Sequence, residues 1–246
     1  MRRNQLYATI ILLFFSLNLK SQPGDPELGA RIFKSCTRCH GPKGEGKAQL
    51  KSPRIVGRES WYLKNQLIKF KEKQRGYSAT DNKDFQEAAD EHFRVHGVPL
   101  NTIENDSYSK LMHPIIQLTD DHEIESVIMY IGTLTTNQAL DRIDGNISEG
   151  KKQYSACIKC HGKNAEGRKE LQAPRLTNQH GWYLFEQLKD FRMGWRGTHP
   201  NDKNGKAMRT YSDNHQNHIV VDRDDESMKD IIAYILSLNN TVRGEQ

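Results

Sequence analysis

The sequence predicts an all-α protein built from two tandem domains, and three observations lead to that prediction. The string Cys36-Thr37-Arg38-Cys39-His40 is followed later by Cys157-Ile158-Lys159-Cys160-His161, which has the same pattern. Residues on both sides of the first string recur 121 positions further along the chain. Apolar residues between these motifs follow the 3.6-residue period of amphipathic helices. A repeat this long, with one motif per copy, indicates two domains rather than a solenoid of short units.

Both strings have the form C-x-x-C-H, the attachment signature of c-type haem. In such a site the two thiols form thioether bonds to the porphyrin and the histidine ligates the iron. A single copy can also belong to a zinc site, but two copies inside a longer repeat favour haem. We therefore expect two haem c groups, and the expected cofactor-binding residues are Cys36, Cys39, His40, Cys157, Cys160 and His161. These four cysteines are the only ones in the chain, so none remains for a disulfide or a thiol active site.

The repeat extends without a gap well beyond the two motifs. The matching residues include Gly29 and Gly150, Phe33 and Tyr154, Pro53-Arg54 and Pro174-Arg175, Trp61-Tyr62-Leu63 and Trp182-Tyr183-Leu184, Gln66 and Gln187, and Arg75-Gly76 and Arg196-Gly197. The chain of 246 residues suits two domains of ordinary size. We predict a signal peptide at 1–21, a first domain at 22–134, a linker at 135–146 and a second domain at 147–246.

The N-terminal segment has the features of a secretory signal. Arg2 and Arg3 precede an apolar run over residues 8–17, which is shorter than the roughly 20 residues that span a bilayer. Leu19 and Ser21 make a mediocre cleavage site, so an uncleaved anchor is the alternative. Membrane association is expected only through that retained segment or through partners.

The formal net charge of +5 gives little support for a nucleic-acid partner. Loss of residues 1–21 removes three basic residues and no acidic ones, which leaves 33 basic against 31 acidic residues. Four haem propionates would make the holoprotein slightly negative. A nucleic-acid-binding function is therefore not expected.

Three helices are predicted in each domain. They cover residues 26–40, 61–73 and 121–134 in the first domain, and residues 148–161, 182–193 and 225–238 in the second, with Ser148 as the expected N-cap. Gly29 with Phe33, and Gly150 with Tyr154, place a small and an aromatic residue one turn apart. This spacing lets another helix approach closely, and we expect the last helix of the same domain to be that partner.

Two prolines that follow the motifs are expected to orient the ligating histidines. An imidazole bound to iron usually donates its other N–H to a carbonyl or carboxylate. Loops containing Pro53 and Pro174 are suitable places for that carbonyl. Arg54 or Arg175 would then pair with a propionate, or else be merely solvated.

The repeat loses its register over residues 79–110. The shift falls from 121 to 104 across this polar stretch, so the first domain has about 17 more residues here than the second. A surface excursion and a partner-docking loop are the two interpretations.

These residues together resemble the dihaem cytochrome c4 family and related class I cytochromes c. The resemblance is carried by the two C-x-x-C-H-G strings, the later Pro, the W-Y-L-x-x-Q-L-x-x-F helix with its following R-G, and the L-T-D-D-x-x-I-x-x-V-x-x-Y-I helix. It covers nearly the whole mature chain. It implies two tandem class I cytochrome c domains, each wrapped around one covalently attached haem with His and Met ligands.

The resemblance also indicates the sixth ligands. The family's methionine position matches Met112, 18 residues before Tyr130, whereas Met129 is expected to be core inside the closing helix. In the second domain the same spacing falls on Gln216, which cannot ligate iron. Met208 is the expected ligand there, with residues 211–222 as a local insertion. His215, His218 or an open site are the alternatives.

The expected function is electron transfer, not catalysis. Histidine and methionine ligands together leave no iron position for a substrate, so each haem passes one electron at a time. The resemblance implies export to the periplasm, because c-type haem is attached outside the cytoplasmic membrane in bacteria. We expect a periplasmic carrier in the respiratory chain, with a quinol-oxidising complex or a dehydrogenase as donor and a terminal oxidase as acceptor. The alternatives are a cytochrome subunit of a periplasmic dehydrogenase and, less favoured, a dihaem peroxidase.

Overall fold

The computed structural model describes residues 23–76, 107–117, 119–210, 212–213, 217–218 and 223–240. Three predictions concern residues outside these ranges: the signal peptide, residues 79–106 of the surface excursion, and most of the insertion at 211–222. Within the described ranges the fold is all-α, as predicted. The strands described there are two residues each, β1 (Ser212–Asp213) and β2 (Asn217–His218), paired antiparallel.

The described helices follow the repeat. In the first half they are α1 (Pro26–His40), α2 (Ser60–Lys71), α3 (Ser107–Lys110), α4 (Met112–Ile116) and α5 (Asp121–Thr133), with a 3₁₀ turn at Ala48–Leu50. In the second half they are α6 (Ile147–Tyr154), α7 (Ile158–His161), α8 (Gly181–Arg192), α9 (Lys203–Thr210) and α10 (Asp225–Ser237). Further 3₁₀ turns lie at Ser155–Cys157, Lys169–Leu171 and Leu238–Asn240. Residues 134–146, between the two halves, contain neither helix nor strand.

Five of the six predicted helices are present, with at most small shifts at their ends. The helix predicted over 148–161 is instead divided into α6, a 3₁₀ turn at Ser155–Cys157 and α7. The first helix has the predicted bounds, because Asp25 caps it by accepting a hydrogen bond from Glu27 N. The prediction of Ser148 as N-cap was wrong, since Asn146 accepts from Glu149 N and Gly150 N donates to Asn146 O. The second helix ends two residues early, and Lys73 beyond it has a left-handed backbone with φ of 58°.

The first and last helices of each domain cross at a glycine, as predicted. An added Cβ at Gly29 would lie 2.0 Å from Ser126 O in α5, and one at Gly150 would lie 1.9 Å from Asp230 O in α10. Both distances are far below van der Waals contact. Glycine at these two positions is therefore what allows the helix backbones to touch.

Each domain encloses its own apolar core around this crossing. In the first domain the buried residues are Phe33, Leu63, Phe70, Ile116, Ile124, Val127, Ile128 and Ile131. In the second domain the corresponding cluster contains Tyr154, Ala165, Ile231 and Ile235. The aromatic residue of the first helix contacts a tyrosine of the last helix in both domains, at centroid distances of 5.3 and 5.4 Å.

Equivalent polar residues of the two domains meet across one interface, the arginine–glutamine cluster of Gln66, Arg75, Gln187 and Arg196. Arg75 Nη2 donates to Gln187 Oε1 at 2.7 Å, and Arg196 Nη2 donates to Gln66 Oε1 at 3.1 Å. Each arginine also donates to the glutamine of its own domain. Such reciprocal contacts are typical of an isologous interface, here formed within one chain.

The periphery of the interface repeats this reciprocity with different residue types. Lys51 forms an ion pair with Glu186 at 2.8 Å, and the equivalent positions are occupied by Asn65 and Gln172, which hydrogen bond to each other. Elsewhere, Gln179 bonds the backbone of Arg54 at both N and O. The two domains therefore share a continuous polar contact.

None of the helices in the described residues is long and apolar enough to cross a membrane.

Closure of the first domain depends on the absence of a side chain at position 29. We expect Gly29→Ala to lower the free energy of unfolding by about 1–3 kcal/mol, since the added Cβ must force α1 and α5 apart. Gly132→Ala, in the exposed last turn of α5, is the control, because nothing lies within 4 Å of its added Cβ. That control should be neutral or stabilising by about 0.5–1 kcal/mol, since alanine favours helix. Denaturant titration of the two variants measures both values, and equal effects would contradict the proposed crossing.

Candidate functional site

The motif residues of each domain lie at the end of its first helical segment. Cys36, Cys39 and His40 are on the last turns of α1. Cys157 ends a 3₁₀ turn, and Cys160 and His161 follow on α7. A spacing of three and four residues places such side chains on one face of a helix.

Both motif histidines are oriented by a proline carbonyl, as predicted. His40 Nδ1 lies 2.8 Å from Pro53 O, and His161 Nδ1 lies 2.8 Å from Pro174 O. A carbonyl only accepts hydrogen bonds, so Nδ1 carries the proton in both rings and Nε2 presents its lone pair. Burial lowers the pKa of both histidines, with the carbonyl partly opposing the shift. The neutral imidazole is the form that ligates a metal.

The loop after each histidine closes back on the motif. Gly46 N donates to His40 O at 2.8 Å, and Gly167 N donates to His161 O at 2.9 Å. Gly41 and Gly162 have φ near +80°, and an added Cβ at either would lie about 2.4 Å from the carboxylate carbon of Glu45 or Glu166. Glycine after the motif is therefore favoured by its backbone conformation, since the glutamate side chain could move away from an added Cβ but the positive φ would remain.

The first domain contains a cavity of about 500 Å³ beside its motif. Cys36, Cys39, His40 and Met112 line it, together with apolar residues that include Leu63, Phe70, Ile116, Val127 and Ile131. The lining also includes Tyr183 and Gln187 of the second domain. The cavity thus places thiols, an imidazole and a thioether around one apolar space that reaches the interface.

The second domain brings its own methionine to the motif. Met208 packs with Cys157, Ala156 and Leu188 against buried Phe191. Met208 lies on α9, which is not among the three helices predicted for this domain. Of the two alternative ligands, His215 lies outside the described residues, and for His218 only the strand backbone is described.

Met129 is not a core residue, contrary to the prediction. Its side chain is 41% exposed on the outer face of α5, whereas Ile128 and Ile131 point inward. The helical period explains the error, because positions 124, 127, 128 and 131 already fill the inner stripe. Met129 therefore serves as a natural control for the other methionines.

The environment of the thiols does not suit nucleophilic or redox cysteine chemistry. None of the four cysteines is in a disulfide. Burial raises the pKa of Cys36 and raises the pKa of Cys157 to about 11. Reactive cysteines are thiolates with a lowered pKa, so these two are unlike them. Among the described residues, no three His, Cys, Asp or Glu side chains are grouped to hold a metal ion.

The two arginines expected near the haem edges differ in environment. Arg54 is 7% exposed and its Nη1 donates to Gln138 O at 3.3 Å, so the solvated interpretation is wrong for it. Arg175 is partly exposed, and its Nε lies 3.3 Å from Glu59 Oε1. Pairing with propionates stays a prediction for both.

Sequence reasoning missed the functional meaning of the arginine–glutamine cluster. Gln66 and Arg75 entered the analysis only as members of the repeat, although they lie beside the cavity and reach the other domain. The available signal was that both copies have a glutamine and an arginine nine residues apart.

The residues present fit a covalently attached haem in each domain. Each motif supplies two thiols and an imidazole nitrogen on one helix face, and each has a methionine packed near it. The cavity in the first domain is apolar enough to enclose a macrocycle, and its polar residues lie towards the interface, where propionates would be stabilised.

Comparisons with known proteins point to one family for both halves. A cytochrome c family model matches residues 26–135 and again residues 147–239. Cytochrome c4 of Azotobacter vinelandii is 26% identical over 213 residues, which cover 84% of this chain and 90% of that protein. The thiosulfate dehydrogenase electron acceptor of Stutzerimonas stutzeri (strain A1501) is 23% identical over 190 residues, 73% of each chain.

A solved structure has the same two-domain arrangement. The crystal structure of reduced recombinant cytochrome c4 from Pseudomonas stutzeri matches with a TM-score of 0.58 at 22% identity. The match covers 86% of this chain and 97% of the other. At this identity the likeness shows the fold, and it confirms the predicted pair of tandem domains.

The loop after the second motif is stabilised by a tyrosine hydroxyl that the first domain does not have. Tyr154 OH donates to Gly162 O at 2.9 Å, whereas the equivalent residue in the first domain is Phe33. We expect Tyr154→Phe to lower the free energy of unfolding by about 1–2 kcal/mol, because the buried carbonyl loses its donor. Hydrogen exchange of residues 158–167 should accelerate. Phe33→Leu, which removes no hydrogen bond, is the control, and unchanged exchange at 158–167 in Tyr154→Phe would contradict this role.

Proposed function

The chain belongs to the cytochrome c family, and we propose that it passes single electrons between periplasmic redox partners, towards a terminal oxidase. Two cytochrome c domains, each with its own cysteine pair, carry two haem c groups. The chain is thus a dihaem, cytochrome c4-like electron carrier rather than an enzyme. The direction of electron flow and the residue assignments below are parts of the proposal.

The motif residues hold and orient the haems in this proposal. Cys36 and Cys39 form the thioether bonds in the first domain, and Cys157 and Cys160 form those in the second. His40 and His161 ligate iron through Nε2, because Nδ1 donates to a proline carbonyl in each case. That hydrogen bond fixes the ring and raises the basicity of the ligating nitrogen.

Met112 and Met208 provide the sixth ligands. Met112 lines the cavity that also contains His40, and Met208 packs in the cluster that contains Cys157. With a histidine and a methionine both bound to the iron, no position would be left for peroxide or oxygen. A haem c with these ligands supplies a one-electron iron couple whose potential is raised by the thioether.

The observation that carries the proposal is the repeated placement of a cysteine pair, an imidazole and a methionine in two domains that share one interface. The cavity beside His40 is walled partly by Tyr183 and Gln187 of the second domain. An electron received at one site therefore has a short protein path to the other. No proton transfer is needed, since the ligands keep their protonation states.

A dehydrogenase subunit is the second candidate function. It is favoured by the relative named as an electron acceptor of thiosulfate dehydrogenase. In that case the electrons come from a periplasmic catalytic partner that oxidises a small inorganic or organic substrate. Co-purification of a stable partner from membranes and periplasm separates a subunit from a free carrier. A peroxidase function would require one of the proposed methionine ligands to dissociate, and peroxide turnover tests it.

The proposed periplasmic location rests on two supports. Haem c is attached outside the cytoplasmic membrane in bacteria, and residues 1–21 have the composition of an export signal. Mass spectrometry of the purified protein should give a polypeptide beginning near Gln22 with two attached haems. A mass with one haem or none would contradict the assignment of the motif cysteines.

The methionine assignments predict matched effects in the two domains. Met112→Ala and Met208→Ala should each remove about half of the weak far-red sulfur-to-iron absorption and lower the potential of one haem only. Met129→Ala is the control, because that side chain is exposed on the outer face of its helix. An unchanged spectrum in Met208→Ala, together with an altered one after substitution of His215 or His218, would identify a bis-histidine site instead.

A further inference from the structure

A buried ion pair connects the first domain to the segment that carries Met208. Lys69 Nζ, on α2, lies 2.5 Å from Asp202 Oδ1, just before α9. The Asp202 side chain is 1% exposed and that of Lys69 is 13% exposed. The other lysine pair across the interface, Lys51 with Glu186, is 39% and 35% exposed. Water is therefore much less accessible to the charges of Lys69 and Asp202 than to those of Lys51 and Glu186.

Asp202 is also the cap of α9. Its Oδ1 accepts a hydrogen bond from Gly205 N at 2.9 Å, and its backbone oxygen accepts from Lys206 N at 2.8 Å. An added Cβ at Gly205 would lie 2.1 Å from Asp202 Oδ2, so glycine leaves the room that the carboxylate occupies. The carboxylate of Asp202 thus both pairs with Lys69 and caps the N-terminus of α9.

Met208 is on the second turn of this short helix. It packs against Phe191 of α8, and Cys157 of the second motif packs against the same ring, so the helix lies against α8 beside the motif. The approach to the helix is also tightly packed, because an added Cβ at Gly197 would lie 2.4 Å from Gly205 O. A shift of Asp202 would consequently move the whole turn that presents Met208.

The charge of Lys69 keeps Asp202 ionised in this setting. Burial alone would raise the pKa of Asp202, but the hydrogen bond and charge of Lys69, with a contribution from Arg196, hold the pKa below its usual value. Without Lys69 the carboxylate would be a buried charge lacking its nearest cation, and it would be driven towards water.

The ion pair between Lys69 and Asp202 has no equivalent in the other direction across the interface. The position equivalent to Lys69 is Asp190, and the position equivalent to Asp202 is Asp81, so the repeat has two acids where this pair has opposite charges. Asp190 instead accepts a hydrogen bond from Gln187 of its own helix at 2.8 Å. The first domain therefore provides a lysine to the segment before Met208, and the second domain provides no lysine at the equivalent position.

We propose that Lys69 is a positioning residue for the second haem: through Asp202 it fixes the helix that presents Met208 to the iron. The ligation of one haem thus depends on a side chain of the other domain. The proposal rests on Met208 being the sixth ligand, as in the proposed function. It adds that docking of the domains sets the strength of that bond.

The test compares Lys69→Met with Lys51→Met in the dihaem protein. Both substitutions keep much of the side chain's length and remove one charge from the domain interface. We expect Lys69→Met to weaken the far-red absorption of one haem, lower the potential of that haem only, and accelerate hydrogen exchange of residues 203–210 roughly tenfold or more, the ratio for loss of one charge-assisted hydrogen bond. Lys51→Met should change none of these. Lys69→Arg, which retains the charge, should restore most of the lost absorption.

A second variant covers the case in which Lys69→Met does not accumulate as holoprotein. Asp202→Asn keeps a good helix cap but loses the charge, and it should reproduce the spectral and potential changes. The proposal would be overturned if Lys69→Met had the same absorption, potentials and hydrogen exchange as the control Lys51→Met. If Lys69→Met cannot be prepared, the same comparison is made with Asp202→Asn. An unchanged far-red band in Met208→Ala would show instead that Met208 is not the ligand, which is a separate result from failure of the role of Lys69.

Discussion

Two arginines, one buried and one partly buried, share two glutamine oxygens and hold the halves of this molecule together. Arg75 and Arg196 each donate to both glutamines of the arginine–glutamine cluster, and each guanidinium lies over a phenylalanine of its own domain, at 4.8 and 4.6 Å from the ring centroid. Burying such charges is costly unless their donors are satisfied. Because the Nη groups of each arginine reach both glutamine oxygens only when both domains contribute, the cluster stabilises one relative orientation of the domains. That orientation places the cavity beside His40 against the second domain.

The two domains hold their motif histidines in the same way, but the residues around the two sites differ. The histidine–proline bond and the glycine at the helix crossing occur in both domains with nearly equal distances. In contrast, position 154 adds a hydroxyl that position 33 lacks, and Lys69 has an acid as its counterpart. These differences act on the loop after one histidine and on the helix of one methionine. The two haems are therefore expected to differ in potential while sharing a fold.

Much of the fold could be predicted from the sequence because it depends on local periodicity and on the repeat. The glycine of the helix crossing and the proline whose carbonyl accepts from His40 both lie within 13 positions of His40 and recur in the repeat. The arginine–glutamine cluster and the pair of Lys69 with Asp202 could not be predicted, because each joins residues of different domains that no local pattern links. The helix around Met208 was missed for a related reason: its Gly and Asn residues favour a loop, and the cap supplied by Asp202 overrides that preference.

In the proposed function, the interface joins both haem sites into one electron-transfer unit. The direct measurement is rapid injection of a single electron into the oxidised protein, followed by absorption at wavelengths that distinguish the two haems. Redistribution between the haems should be first order and independent of protein concentration, because the electron moves within one molecule. A redistribution rate that rises in proportion to concentration would show transfer between molecules, and it would contradict the claim.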